Sequence, residues 1–286
     1  MFKKRKKLKI ISLLIFSLWI IFAQSCMRMR MTDEAGKKNF EQKKLTPTFC
    51  YLPIGDIKMH YAKIGNDSLP TLFFIHGSPG SWDAFIRYMQ DSALLAKYRM
   101  ISIDRPGFGY SNFGEAENLQ DNASDIFEVI KKEMNTAPFH LIGHSIGGPV
   151  VIKIAQNHPE NFASLTILAG SISPFEEPKE KWRWLFKYTP ARYLLPGALL
   201  PSNDEIYYFK KELYGLDSNY NKITMPVMLI HGSKDQFVSI KNVAYAQQKL
   251  RENKHIDTII IASANHFIPW QHYDIIKKHL LNLSNK

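Results

Sequence analysis

Six short apolar runs recur along the chain: Thr71-Leu72-Phe73-Phe74-Ile75, Met100-Ile101-Ser102-Ile103, Phe139-His140-Leu141-Ile142, Leu165-Thr166-Ile167-Leu168, Val227-Met228-Leu229-Ile230 and Thr258-Ile259-Ile260-Ile261. Several lack strict polar alternation, the pattern of strands buried on both faces. Between them lie stretches of helical period, such as Ile126, Val129, Ile130 and Met134, whose spacing fills one helix face. Repeated strand and helix units predict an α/β domain with a mostly parallel sheet and helices on both sides. Ahead of them, the run around Phe49 to Leu52 and the segment Asp56 to Ile64 predict an antiparallel hairpin at the sheet edge. The rhythm breaks from about 174 to 222, where aromatic residues are dense but no strand is evident. A gap of that length predicts a small helical insertion over the sheet.

The N-terminus follows a different pattern. A basic start (Lys3, Lys4, Arg5, Lys6, Lys7, Lys9) precedes an apolar run from Ile10 to Ala23 and a small-residue exit, Ala23-Gln24-Ser25-Cys26. This layout predicts a secretory signal peptide over 1–25. The 14-residue run is short beside the roughly 17 to 25 residues a membrane-spanning helix needs. From Met27 to Lys44 nine of eighteen residues are charged, which predicts a solvated tether over 26–44, with Arg28 and Arg30 available to anionic lipid. The globular domain is then 45–286. The chain is predicted to be exported and held at a bacterial membrane by its N-terminal segment or a lipid anchor.

Composition narrows the function. The net charge of +11 becomes 11 − 6 = +5 once the basic start is removed, and no basic stripe interleaved with aromatics remains. Nucleic acid is therefore not an expected partner. Two cysteines, Cys26 and Cys50, cannot build a disulfide framework. Cys50 reads as a small apolar strand residue. No metal-ligand spacing such as H-E-x-x-H occurs, so no metal or cofactor is expected.

The sharpest chemical signal is Gly143-His144-Ser145-Ile146-Gly147, between an apolar strand and the helical segment Pro149-Val150-Val151-Ile152. A serine there needs a sharp turn, which bulky residues at 143 and 147 would block. It also needs a base and an orienting carboxylate later in the chain. Asp235 follows the strand 227–230, and His266 follows the strand 258–261. The fourth element is His76-Gly77-Ser78-Pro79-Gly80, whose Ser78 N–H is expected to pair with that of Ile146 as an oxyanion hole. Asp104, preceding the serine, reads as a loop hydrogen-bonder. His76, His231 and His144 read as packing or turn residues, and His60, His255 and His272 show no companion pattern.

These four motifs, with Asp104-Arg105-Pro106-Gly107-Phe108-Gly109-Tyr110-Ser111, resemble the α/β-hydrolase fold family from about Thr46 onward. The resemblance implies an esterase-like mechanism in which Ser145 attacks, His266 moves the proton and Asp235 fixes the imidazole. Serine at the elbow argues against an epoxide hydrolase or haloalkane dehalogenase. A small apolar ester or related acyl substrate is expected, with Trp182, Trp184 and Phe186 of the cap as candidate contacts. The Ala23-to-Cys26 exit also resembles a bacterial lipoprotein signal, which implies lipidation at Cys26, although Ala23 stands where that family usually has a larger aliphatic residue. Two further hydrolase readings share the triad. One is an aminopeptidase similar to the proline iminopeptidases, for which Glu176, Glu177, Glu180, Asp204 or Glu205 could bind the amine; the other cleaves carbon–carbon bonds in diketones. A non-catalytic binding module is the fourth reading.

Overall fold

A computed structural model describes residues 2–283, with side chains from Arg5 onward; Met1 and 284–286, the ends of the expected leader and domain, lie outside the described residues, as do the side chains of Lys3 and Lys4. Among the described residues eight strands are formed: β1 (Thr48–Ile54), β2 (Ile57–Ile64), β3 (Thr71–Ile75), β4 (Arg99–Ile103), β5 (Phe139–His144), β6 (Ser164–Leu168), β7 (Val227–Gly232) and β8 (Ile256–Ile261). They make one sheet in the order β1-β2-β4-β3-β5-β6-β7-β8. β1 and β2 pair antiparallel, β2 meets β4 antiparallel, and every pair beyond is parallel. The predicted strands and edge hairpin are all present.

The helices are α1 (Phe2–Cys26), α2 (Asp33–Glu41), α3 (Ile86–Met89), α4 (Ser92–Leu95), α5 (Leu119–Glu133), α6 (Gly147–Asn157), α7 (Arg183–Tyr188), α8 (Leu199–Leu213), α9 (Lys241–Lys249), α10 (Ile268–Gln271) and α11 (Tyr273–Leu281). Successive strand residues serve opposite faces. Phe73 and Ile101 enter a core with Ile126 and Ile130 of α5 and Val151 and Ile154 of α6. Leu72, Phe74 and Met100 enter a second core with Tyr88, Ile276 and Leu280. Burial on both faces is why these strands read as continuous apolar runs. Local chemistry sets helix starts: Asn118 accepts from the Asp121 N–H at 3.0 Å and caps α5, and Thr32 caps α2 through Ala35 N–H at 3.1 Å.

The segment expected to be a solvated tether is instead partly a core element. Phe40 of α2 is fully buried, stacks on Trp82 at 6.5 Å and belongs to the second core. Gly36, one helical turn earlier, lies so close that a Cβ would stand 2.7 Å from the Phe49 ring. The buried face is only these two residues wide, too narrow to register as a period among nine charges. Arg30, expected at lipid, lies over the Tyr110 ring at 3.9 Å.

The insertion between β6 and β7 contains α7, α8 and several turns of 3₁₀-helix. It stands over the carboxyl ends of the strands.

Candidate active site

The tight turn after β5 puts Ser145 in the left-handed region, with φ of 55°. Such a conformation costs a non-glycine residue roughly 1–3 kcal/mol and survives where the surroundings over-determine it. Here Ser145 N–H donates to Leu168 O of β6 at 2.9 Å, and Gly148 N–H closes back on Ser145 O at 2.9 Å. The flanking glycines are required by contact. A Cβ on Gly143 would meet Gly147 O at 2.2 Å, and one on Gly147 would meet Ile75 O at 2.4 Å. α6 starts directly behind the turn: Gly148 N–H is taken by Ser145 O, Pro149 has no N–H, and Val150 N–H donates to Ile146 O.

His266, after β8, faces Asp235, after β7: Nδ1 to Oδ2 is 2.7 Å. The other carboxylate oxygen of Asp235 accepts from Phe237 N–H at 2.9 Å and Val238 N–H at 2.8 Å. Burial alone would raise this carboxyl, but the hydrogen bonds from His266 and from those backbone groups outweigh it and hold it below its ordinary value. An anionic Asp235 on Nδ1 leaves Nε2 of His266 as the free basic nitrogen. The Ser145 hydroxyl is not hydrogen-bonded to His266 among the described residues, a contact that commonly tightens only on substrate binding.

His144 is the last residue of β5. Its Nε2 donates to His266 O at 3.1 Å, and its ring stands 5.1 Å from that of Trp270. Burial, and then the neighbouring His266, push its pKa down to about 3, so it places no charge beside the candidate base.

Across the cavity, a Cβ on Gly77 would stand 2.9 Å from that of Ser145, so only glycine lets the 76–80 loop come this close. The Ser78 and Ile146 N–H groups donate to no protein acceptor among the described hydrogen bonds. The loop is pinned from behind. His76 Nε2 accepts from Arg105 N–H at 3.0 Å, and Arg105 Nη2 donates to Gly77 O at 3.2 Å. Arg105 in turn pairs with Glu205 of α8, at 3.0 Å for Nη2 to Oε2, with both side chains buried. Burial, then the Arg105 charge, hold the His76 imidazole well below its ordinary pKa.

Ser145, His266, Ser78 and Ile146 line one cavity of about 690 Å³, with Phe209 of the cap and Phe237 among its apolar walls. Trp182, Trp184 and Phe186 do not line it. α7 turns Arg183 inward, and at about 100° per residue its neighbours face elsewhere; Trp182 and Trp184 are about half exposed. Of the five cap carboxylates that are candidates for an amine, Glu177 and Glu180 reach the cavity. Burial raises the Glu177 carboxyl despite a hydrogen bond from Ser171. Asp204 pairs with Arg192 at 3.3 Å, Glu176 lies 3.9 Å from Lys241, and Glu205 is the partner of Arg105.

Asp104 is a loop organiser, accepting from Trp82 N–H at 2.6 Å, Tyr110 N–H at 2.8 Å and His60 at 2.6 Å. His60 also reaches Asp33 of α2 at 3.1 Å. His231 donates to Val238 O at 3.0 Å. Cys50 sits half-buried in β1, and Cys26 is exposed at the end of α1. Sequence reasoning missed Met29, which reaches the cavity wall from the supposed tether, and the pairing of Arg105 with Glu205. Neither carries a local signal, because each depends on a partner distant in sequence.

The sequence profile of the α/β-hydrolase fold matches residues 70–206. A 1-acylglycerol-3-phosphate O-acyltransferase of Arabidopsis thaliana is 36% identical over 139 residues, 47% of this chain and 32% of its own length. The chain thus spans about a third of that plant enzyme. A 2-hydroxy-6-oxononadienedioate/2-hydroxy-6-oxononatrienedioate hydrolase of Pseudomonas sp is 23% identical, with 78% of this chain and 90% of that protein covered. Among solved structures, a bacterial membrane phospholipase A superposes with a TM-score of 0.60 at 18% identity, covering 98% of this chain and 99% of that one. The chain has the α/β-hydrolase fold.

Proposed function

We propose that the protein is an exported serine hydrolase that cleaves carboxylic esters or related acyl bonds, with Ser145 as nucleophile, His266 as base and Asp235 as orienting acid. The observation that carries this reading is the Asp235 carboxylate on Nδ1 of an imidazole that shares a cavity with a serine in a left-handed turn. Ser145 Oγ attacks the carbonyl carbon while His266 Nε2 takes its proton. The oxyanion is received by the N–H groups of Ser78 and Ile146, and each such donor contributes on the order of 10² to 10³ in rate. His266 then hands the proton to the departing alcohol oxygen. Water, activated by the same imidazole, releases the acid from Ser145. Phe209 and Phe237 favour an apolar acyl or alcohol group.

The diketone-hydrolase reading is favoured by the Pseudomonas relative, and the aminopeptidase reading by Glu177 and Glu180 in the cavity. We assign the N-terminal segment to membrane attachment; lipidation of Cys26 after cleavage and retention of the apolar helix are the two exclusive means. Labelling by a fluorophosphonate probe, with turnover of short-chain aryl esters, aminoacyl anilides and diketones, tests the proposal. Wild-type protein is expected to label and to cleave the esters, and Ser145→Ala to do neither; undiminished turnover in Ser145→Ala overturns the assignment.

A further inference from the structure

Residues 5–26 form a helix long and apolar enough to cross a membrane, and a cleaved leader passes the same test. What separates the two is whether the helix belongs to the folded protein, and its C-terminal end is built into the cap. Gly197 N–H donates to Ala23 O and Ala198 N–H to Met27 O, each at 2.8 Å. The Gln24 amide donates to Leu195 O at 2.8 Å and to Tyr193 O at 3.0 Å, and the Trp19 indole N–H to Leu194 O at 3.1 Å. Ala23 is fully buried while large apolar residues from Leu8 to Phe22 stay exposed around the helix. The small residue that reads as a cleavage signal thus has a packing role against Gly197, whose Cβ would stand 3.2 Å from Ala23 O. Cleavage before Cys26 would strip the 193–195 carbonyls of these donors.

We propose that α1 is retained as an uncleaved transmembrane helix whose end is part of the cap, so that the cavity opens at the bilayer surface and draws a membrane-resident acyl ester from it. The uncharged part of the helix, Ile10 to Cys26, covers roughly 25 Å at about 1.5 Å per residue, and the stems of Lys7 and Lys9 snorkelling to the cytoplasmic face make up the difference from a hydrocarbon core of about 30 Å. Arg5, Lys6, Lys7 and Lys9 hold the N-terminus on the cytoplasmic side, which leaves the domain on the other. The chain leaving the helix runs directly to the cavity. Met29 lines its wall, and Met29 O accepts from Ser81 Oγ at 3.2 Å. Trp182, Trp184, Tyr188 and Tyr193 are half exposed or more on the cap segments leading up to and including those that hold the helix end. These exposed aromatic rings, with the exposed Lys181 beside Trp182, are the chemistry of a headgroup interface; Lys187 and Arg192 are engaged by Asp204. The catalytic part of this inference rests on the hydrolase reading above; the retention part does not.

The test has two arms. Intact-mass measurement of full-length protein extracted from its host membrane is expected to find residues 2–25 present; a mature N-terminus at Cys26, bare or lipidated, overturns retention. The second arm reconstitutes the full chain in phosphatidylcholine vesicles carrying monoolein and compares it with a soluble aryl ester. Trp19→Phe with Gln24→Ala removes three hydrogen bonds outside the cavity. It is expected to lower monoolein turnover about tenfold and leave the aryl ester unchanged. Equal loss on both substrates, or no loss on either, overturns the orienting role. Wild-type protein inactive on both substrates and unlabelled by fluorophosphonate refutes the hydrolase reading instead, while the mass measurement still decides retention.

Discussion

Glu205→Ala probes the link between cap and oxyanion loop most directly. Arg105 is fully buried and its Nε has no hydrogen-bond partner, so the guanidinium depends on Glu205, with Gly77 O at 3.2 Å and the Phe108 ring at 4.7 Å as lesser partners. Two unit charges 3 Å apart attract by about 5.5 kcal/mol at an effective dielectric of about 20. Desolvation cancels much of that gain while the pair is intact, but deleting the carboxylate leaves the cation buried and uncompensated. Such deletions cost about 3–5 kcal/mol. Guanidinium titration followed by far-UV circular dichroism should show the midpoint falling by that equivalent with the slope unchanged. Replacing both partners by apolar residues, Arg105→Met with Glu205→Leu, should recover most of the stability. It should not recover turnover, because Gly77 O loses the donor that steadies the loop opposite Ser145. A loss below about 1 kcal/mol in Glu205→Ala refutes the reasoning, as does a double variant no more stable than the single.

Three further outcomes follow from the site and its surroundings. Asp235→Asn should lower kcat on an ester by about 10⁴ with little change in Tm; a loss below tenfold would show that the carboxylate does not orient His266. Gly143→Ala drives a Cβ to 2.2 Å from Gly147 O, and should destabilise the protein by about 3 kcal/mol or more, read as a lower denaturant midpoint; an unchanged midpoint contradicts the turn geometry. The Glu117 carboxyl is pushed up from 4.5 to about 8, first by burial and then by Asp125 beside it. Native protein therefore holds a proton that the unfolded chain releases above about 4.5, and stability falls as pH rises through that window. Glu117→Gln should raise stability at pH 8.5 by about 1 kcal/mol, the partial exposure of the site being allowed for, and leave it unchanged at pH 4. Equal Tm gains at both values would count against this assignment.

The strands were legible because burial on both faces prints an apolar run, and the elbow because its glycines are demanded by backbone contacts within a few residues. Ser145, Asp235 and His266 could be nominated from strand ends alone. The structure brings Asp235 and His266 into hydrogen-bond contact and puts His266 and Ser145 on one cavity. The cap was legible as an interruption and no further. Its aromatic residues suggested a substrate wall, yet helical phase turns Arg183 inward and leaves Trp182 and Trp184 outside. α2 was hidden for a related reason: two inward positions, Gly36 and Phe40, do not make a visible period among lysines and glutamates. Met29 and the Arg105–Glu205 pair depend on contacts between segments far apart in sequence, which no window of residues records.

The second core has a consequence for the order of events during synthesis. Phe40 comes from the first helix of the globular domain, and Ile276 and Leu280 from its last, yet all three close the same face of the sheet. The opposite face draws on residues from Met59 to Leu250. A chain emerging from its N-terminus can therefore assemble one side of the sheet while the other still waits for its final turn of helix. Contacts of such long sequence separation are slow to form. Until α11 arrives, Tyr88 lacks the Tyr273 ring that packs on it at 4.7 Å, and that face is the surface through which a stalled or truncated chain would aggregate.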